Sequence, residues 1–282
     1  MFISFLRFAA DIFPPTFLCA ACHRPSWKTI CISCRQSLQF NHEILSPPVP
    51  GLEGAAPLLY AFHRTQKLIR HWKEHPGSDL KRVLFKMPCQ LQQKLINEQF
   101  FAIVPIPQDE TRAEKRGHAS ALEVSRFFSS KLELPILPLL ELSQHSTPRM
   151  AGRDRFEREF APNPFQIHRE FPQPGLLRNQ LEEKVFHGKE IKLLLVDDLM
   201  TSGSTLGKAA ETLKDLLPRS KIWAGAIGIR PNVLNPLRPT RTRQHPDSMP
   251  LPFHSHPENQ PLRSESEWQW SEERERGQMH QR

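Results

Sequence analysis

The run Leu193-Leu194-Leu195-Val196, entered through Ile191-Lys192 and closed by Asp197-Asp198, constrains this chain more than any other feature. Successive side chains of a strand point to opposite faces, so a run that is apolar at every position needs cover on both. That is the situation of an interior strand in a parallel sheet with helices above and below it. Residues 100–107, FFAIVPIP, read as a second short apolar strand, and residues 134–140, LPILPLL, as a proline-flanked third. Residues 221–229, KIWAGAIGI, close the set. Between them, residues 120–132 carry helical spacing through Leu122, Ser125, Phe128 and Leu132, and residues 204–217 through Leu206, Ala209, Ala210, Leu213 and Leu217. Alternating strands and helices predict an α/β domain whose ligand site lies at the carboxyl ends of its parallel strands.

The stretch after the apolar run is chemically specific. Asp197-Asp198-Leu199-Met200-Thr201-Ser202-Gly203-Ser204-Thr205 brings two carboxylates to the end of a buried strand, then a hydroxyl- and glycine-containing turn, then a helix. Helix-start amides form an anion site, and Gly203 permits close backbone approach. Carboxylates cannot bind phosphate. Beside a phosphate cradle they suit sugar hydroxyls, or magnesium through water. A phosphorylated sugar fits both halves. A Val-Asp-Asp strand end also occurs in phosphoacceptor domains, and a Gly-Ser-Thr turn can simply cap a helix. Neither accounts for the whole order, and no Walker-type lysine comes after the glycine.

Four of the five cysteines form two pairs, Cys19-x2-Cys22 and Cys31-x2-Cys34. Each pair suits a tight knuckle aiming two thiolates at one point, so the two together predict a closed tetrahedral zinc site with a structural role. Disulfides and redox chemistry use the same residues, but a reducing compartment disfavours the first and the paired arrangement the second. The module and the sheet domain are expected to have separate cores. The fifth, Cys89, sits beside Met87 and Leu91 on a helical pattern and reads as a small buried hydrophobe.

The 282 residues suit one full domain with a smaller attachment. Twenty-seven prolines against one tyrosine indicate that part of the chain is unpacked. Residues 231–282 hold 8 of those prolines, balance 7 basic against 7 acidic residues, and lack any helical or strand period. They read as a disordered tail. The net charge of +8 therefore lies in residues 1–230. Residues 59–100 alone carry 8 basic and 3 acidic residues, and read as two helices around Pro76-Gly77. A solvated face accounts for those charges; a phosphate-backbone surface using Lys67, Arg70 and Lys73, with Trp27, Phe62 and Trp72 for base stacking, is the sharper alternative. No run of about 18 uncharged apolar residues exists, so membrane insertion is not expected. The opening MFISFLRFAADIFPP, interrupted by Arg7 and Asp11, reads as an amphipathic starter helix of a cytoplasmic protein.

The segment from Leu193 to Leu206 closely resembles the 5-phosphoribosyl-diphosphate (PRPP) signature of type I phosphoribosyltransferases. DIFPPTFLCAAC before a second C-x-x-C, then VPIPQDETRAEKRG, then that loop, resembles the ComF family of competence-related phosphoribosyltransferase-like proteins over roughly residues 8–230. The resemblance implies a zinc module at 1–50, a basic helical hood or linker at 51–100, a type I phosphoribosyltransferase domain at 101–230, and a tail at 231–282 without counterpart. It implies that Asp197 and Asp198 hold the ribose hydroxyls and that Thr201, Ser202, Gly203, Ser204 and Thr205 wrap the 5′-phosphate. Arg112 and Arg116, in an R-x-x-x-R-G pattern, would face a magnesium-bound diphosphate; a charged loop entering a helix is the plainer alternative. The family usually continues with Phe-Asn-Gln where this chain has His118-Ala119-Ser120, and its later Gln, Arg and Asn are only loosely echoed by residues 147–150 and 153–158. The resemblance leaves two functions: a transferase of unknown acceptor linked to DNA uptake, or a PRPP-responsive adaptor binding single-stranded DNA and a competence helicase.

Overall fold

The computed structural model describes residues 17–143, 162–168 and 189–231, with Asn179, Glu183 and His187, and the backbone alone at Glu110, Arg112 and Lys115. The chain divides into units Met1–Arg238 and Pro239–Arg282, and all described residues belong to the first. The expected starter helix, the tail, and the segments 147–150 and 153–158 lie outside the described residues.

The cysteine module comes first, with β1 (Phe17–Leu18) antiparallel to β2 (Pro25–Ser26), and α1 (Ile32–Gln36). Then come β3 (Gly54–Tyr60), α2 (His63–Glu74), α3 (Leu80–Leu84) and α4 (Cys89–Asn97). β4 (Ala102–Pro105) leads into α5 (Glu110–Arg116) and α6 (Ser120–Leu132). β5 (Leu140–Leu142) pairs antiparallel with β6 (Phe165–Ile167). β7 (Ile191–Val196), β8 (Leu199–Met200), α7 (Ser204–Leu216) and β9 (Ser220–Ile229) complete the set. The central sheet runs β3-β9-β7-β4, parallel throughout, with β8 also parallel on β9.

The unbroken apolar run behaves as its pattern requires. Leu194 and Val196 enter one core with α2, α3, α4 and α6, while Ile191, Leu193 and Leu195 enter another with α7 and the paired strands β5 and β6. β9 divides likewise, Trp223 and Ile227 to one side and Ile222, Ala224 and Ala226 to the other. Helices thus cover both faces, which is why these strands show no polar alternation.

Three expectations are corrected. β3 lies within residues 51–100, read as a helical linker, yet it is an integral strand paired along β9. Its Gly-Ala-Ala-Pro start has little strand signal. Pairing to β9 and bridges to Phe40 and Leu45 form it nonetheless, and Pro57, which has no N–H, keeps its carbonyl bonded to Asn41 Nδ2 at 2.9 Å. The cores of module and sheet are not separate: Cys19, Ala21, Ile30 and Cys34 belong to the same cluster as Leu58, Leu84 and Val196. Cys89 is exposed at the start of α4, because the neighbouring Leu91 and Leu95 take the buried face of that helix. Among the described residues, no helix is long and apolar enough to cross a membrane.

Candidate functional site

β4 and β7 are neighbours, but the chain leaves β4 toward α6 on one face and leaves β7 and β8 toward α7 on the other. In open α/β sheets a divergence of that kind, at the carboxyl ends of the strands, is the standard ligand position. Gln108 and Ser120 come from the β4 side, and Asp197 and Asp198 from the β7 side.

The acidic pair follows directly on the end of β7 at Val196, as its sequence position implies, and pairing with β9 resumes at Leu199 of β8. Backbone bonds hold both residues in line, Asp197 N–H to the Gly225 carbonyl at 3.0 Å and Ile227 N–H to the Asp198 carbonyl at 3.2 Å. The two carboxylates therefore differ sharply in surroundings. Asp198 is buried, and its Oδ2 accepts from Lys73 Nζ at 2.6 Å, Ser120 Oγ at 2.5 Å and Gln108 Nε2 at 3.2 Å. Gln108 also donates to Ser120 Oγ at 2.8 Å. Asp197 is half-buried, with Oδ1 accepting from the Asp198 amide at 2.8 Å. Burial, with the adjacent Asp198, pushes its carboxyl up to about 7, against the opposing pull of Lys73.

The phosphate-loop candidate lies just beyond. Gly203 is the N-cap of α7 at φ +78°, a left-handed conformation that costs other residues energy. A Cβ there would meet Val49 Cγ1 at 2.7 Å and Pro48 Cβ at 3.3 Å, so the glycine also admits the 48–49 segment against the turn. Ser202 and Ser204 hydroxyls lie 2.9 Å apart, and Thr201 and Thr205 flank them half-buried. First-turn helix amides lack intrahelical acceptors, so hydroxyls and amides together form an anion-accepting end.

Not every expected residue reaches this place. Arg116 ends α5, half-buried, and among the described residues no hydrogen bond or ion pair joins it to either aspartate. Arg112 lies on the same helix, and its side chain is outside the described set. Sequence reasoning missed Gln108 and Ser120, although they bracket the arginine pattern it singled out. It also counted Lys73 as part of a nucleic-acid face, whereas the ammonium turns inward to Asp198. The available signal was the position of Lys73 directly after Trp72, at the border of the apolar stripe of α2.

The cysteine centre is compact. The four Sγ atoms of Cys19, Cys22, Cys31 and Cys34 lie within 4.8 Å of one another, and Cys22 and Cys31 are 3.7 Å apart. A tetrahedron of ~2.3 Å zinc–sulfur bonds has edges of about 3.8 Å, so these residues fit a structural zinc ion. Amides support the sulfurs, with Cys31 N–H to Cys19 Sγ and Cys34 N–H to Cys31 Sγ both at 3.4 Å. Burial raises the Cys19 thiol, but amide donors led by Cys31 outweigh it and lower the thiol to about 6. Burial and the neighbouring sulfurs push Cys34 up to about 12, a penalty that a bound dication removes. No family model matches the chain, and no curated protein matches it.

Proposed function

We propose that the chain is a ComF-like, type I phosphoribosyltransferase-fold protein that binds PRPP with magnesium, linked to DNA uptake. The observation that carries this reading is the convergence, at the divergence of β4 and β7, of an acidic pair and a hydroxyl-lined helix start. The turn Thr201–Thr205 holds the 5′-phosphate, and the acidic pair faces the ribose. Asp197 is the carboxylate with accepting capacity to spare, since Asp198 Oδ2 already has three donors. Magnesium held with the diphosphate beside the acidic pair would supply charge neutralisation to the leaving group. In transfer, the bond from ribose C1 to diphosphate breaks as an acceptor nucleophile bonds to C1. The protein contributes positioning and charge, with Arg112 and Arg116 assigned to the diphosphate.

A second reading, a PRPP-responsive adaptor without turnover that works with single-stranded DNA and a competence helicase, draws on one observation. Among the described residues, the side chains bonded to the acidic pair are an ammonium, an amide and a hydroxyl, none suited as a base toward an acceptor. Calorimetry with PRPP and magnesium tests the shared claim, and absence of binding defeats both readings. Diphosphate release with bases, nucleosides or single-stranded DNA separates them.

A further inference from the structure

Helix α2 ends on two histidines one turn apart, His71 and His75, whose ring centroids lie 4.5 Å from each other at an interplanar angle of 50°. Side chains four residues apart share a helix face. His75 follows the last helical residue, Glu74, yet its N–H donates to the His71 carbonyl at 2.8 Å, so the helical spacing of the pair is kept. The helix beneath them is firmly seated. Leu68, Ile69 and Trp72 are buried, and Trp72 packs edge-on against Phe85 and His118 at 5.1 and 5.4 Å. Trp72 is thereby lost to the base stacking considered from sequence. Lys73, between the histidines, reaches Asp198. Positions two apart on a helix do not face each other, so the histidine pair and the acidic pair are served by different sides of α2.

We infer that His71 and His75 chelate a divalent transition-metal ion of the nickel, copper and zinc class, at a site separate from the cysteine centre and from the proposed PRPP site. A metal–nitrogen bond of ~2.1 Å, with the ring centre about 1.1 Å farther on, puts two imidazoles at right angles on one ion with centroids about 4.5 Å apart. The pair already has that spacing. His71 is half-buried and His75 exposed, and among the described residues neither imidazole has a hydrogen-bond partner. Imidazole nitrogen suits zinc, copper and nickel, whereas hard cations such as magnesium take oxygen ligands. The carboxyl end of a helix also favours a cation, because its last carbonyls carry partial negative charge. His71-Trp72-Lys73-Glu74-His75 has the H-x-x-E-H order of one class of zinc peptidases. Catalytic zinc takes three protein ligands, however, and among the described residues no third His, Cys, Asp or Glu completes a group with this pair. The other coordination positions fall to water, so the site binds metal without the centre that hydrolysis needs.

The test uses the full chain with zinc supplied to its cysteines, and nickel as the probe, titrated by calorimetry. The chain has 13 histidines, so variants decide where nickel sits. His71→Ala and His75→Ala should each weaken the tightest nickel binding by about tenfold or more, since the second ring acts at a millimolar effective concentration. The double variant should lose little beyond either single one, as expected of two rings on one ion. His254→Ala/His256→Ala, in another closely spaced pair, should leave that binding unchanged. Magnesium at about 10 mM should not displace the nickel. His75 is exposed, so His75→Ala should melt like the parent without nickel, and it carries the test if His71→Ala melts lower. No nickel binding by the parent overturns the inference, as do single variants that bind like the parent. Loss in His254→Ala/His256→Ala alone overturns it too. Loss in His75→Ala with a folded His71→Ala silent leaves a contact to one ring and overturns chelation. Displacement by magnesium overturns it in favour of carboxylate ligands. PRPP calorimetry on the same variants is independent: failure there leaves the nickel result standing, and failure of nickel binding leaves the PRPP reading untouched.

Discussion

The ammonium of Lys73 lies 2.6 Å from Oδ2 of Asp198, joining the last turn of α2 to the short link between β7 and β8. The side chains are 23% and 8% exposed, so most of the pair is removed from water. It anchors a helix that covers one face of the sheet to the buried member of the acidic pair. Its charge also opposes the rise in the Asp197 carboxyl.

Removing one partner of such a pair leaves a charge buried without compensation. Lys73→Met should destabilise the fold by about 3 kcal/mol, the low end for buried pairs because Lys73 keeps some solvent contact. Adding Asp198→Asn removes the stranded charge and should recover part of the loss. Urea unfolding of the two variants decides the matter: a double variant no more stable than the single one contradicts this account.

The raised Asp197 carboxyl sets a pH dependence. It moves from its ordinary value of 3.8 to about 7 in the fold, so between these limits the folded chain holds a proton that the unfolded chain has released. Its contribution to stability is fully present below about pH 4, declines as pH rises toward 7, and is level above that. Asp197→Asn has no such proton to lose. Melting temperatures of the variant relative to the parent should therefore increase from pH 5 to pH 8, and a constant difference would show that the carboxyl is not raised.

Gly203→Val combines an unfavourable backbone conformation, about 1–2 kcal/mol for a residue with a Cβ, with a 2.7 Å approach to Val49 Cγ1. Pairing it with Val49→Ala removes the contact but not the φ requirement. The pair should recover only part of the lost thermal stability, and PRPP affinity should remain depressed because the helix-start amides are displaced. Full recovery of both properties would make the contact the sole cause.

Purified protein should contain about one zinc per chain on Cys19, Cys22, Cys31 and Cys34. Because the module shares its core with the sheet, Cys31→Ser should lower the melting temperature of the whole described unit in a single transition. Two transitions, with the upper one unmoved, would restore separate cores. Metal-free protein in the reduced, intact state would end the zinc assignment.

Some elements were legible in the chain because their local pattern leaves no alternative. An unbroken apolar run requires cover on both faces, so β7 could be read directly, and with it the parallel sheet and the helices α6 and α7. Two C-x-x-C pairs brought together by a short chain were equally readable as a cluster able to hold a metal, and the glycine-containing turn after the acidic pair as the start of a helix. Other features came from packing alone. β3 carries weak strand propensity in Gly54-Ala55-Ala56-Pro57 and forms because β9 offers it a ladder. Cys89 is exposed because Leu91 and Leu95 claim the inner face of α4. The unequal roles of Asp197 and Asp198 arise from Lys73, Gln108 and Ser120, which are distant in the chain and meet at one oxygen. Local periodicity reports which side of an element is buried, but which polar groups meet there depends on packing between elements far apart in sequence.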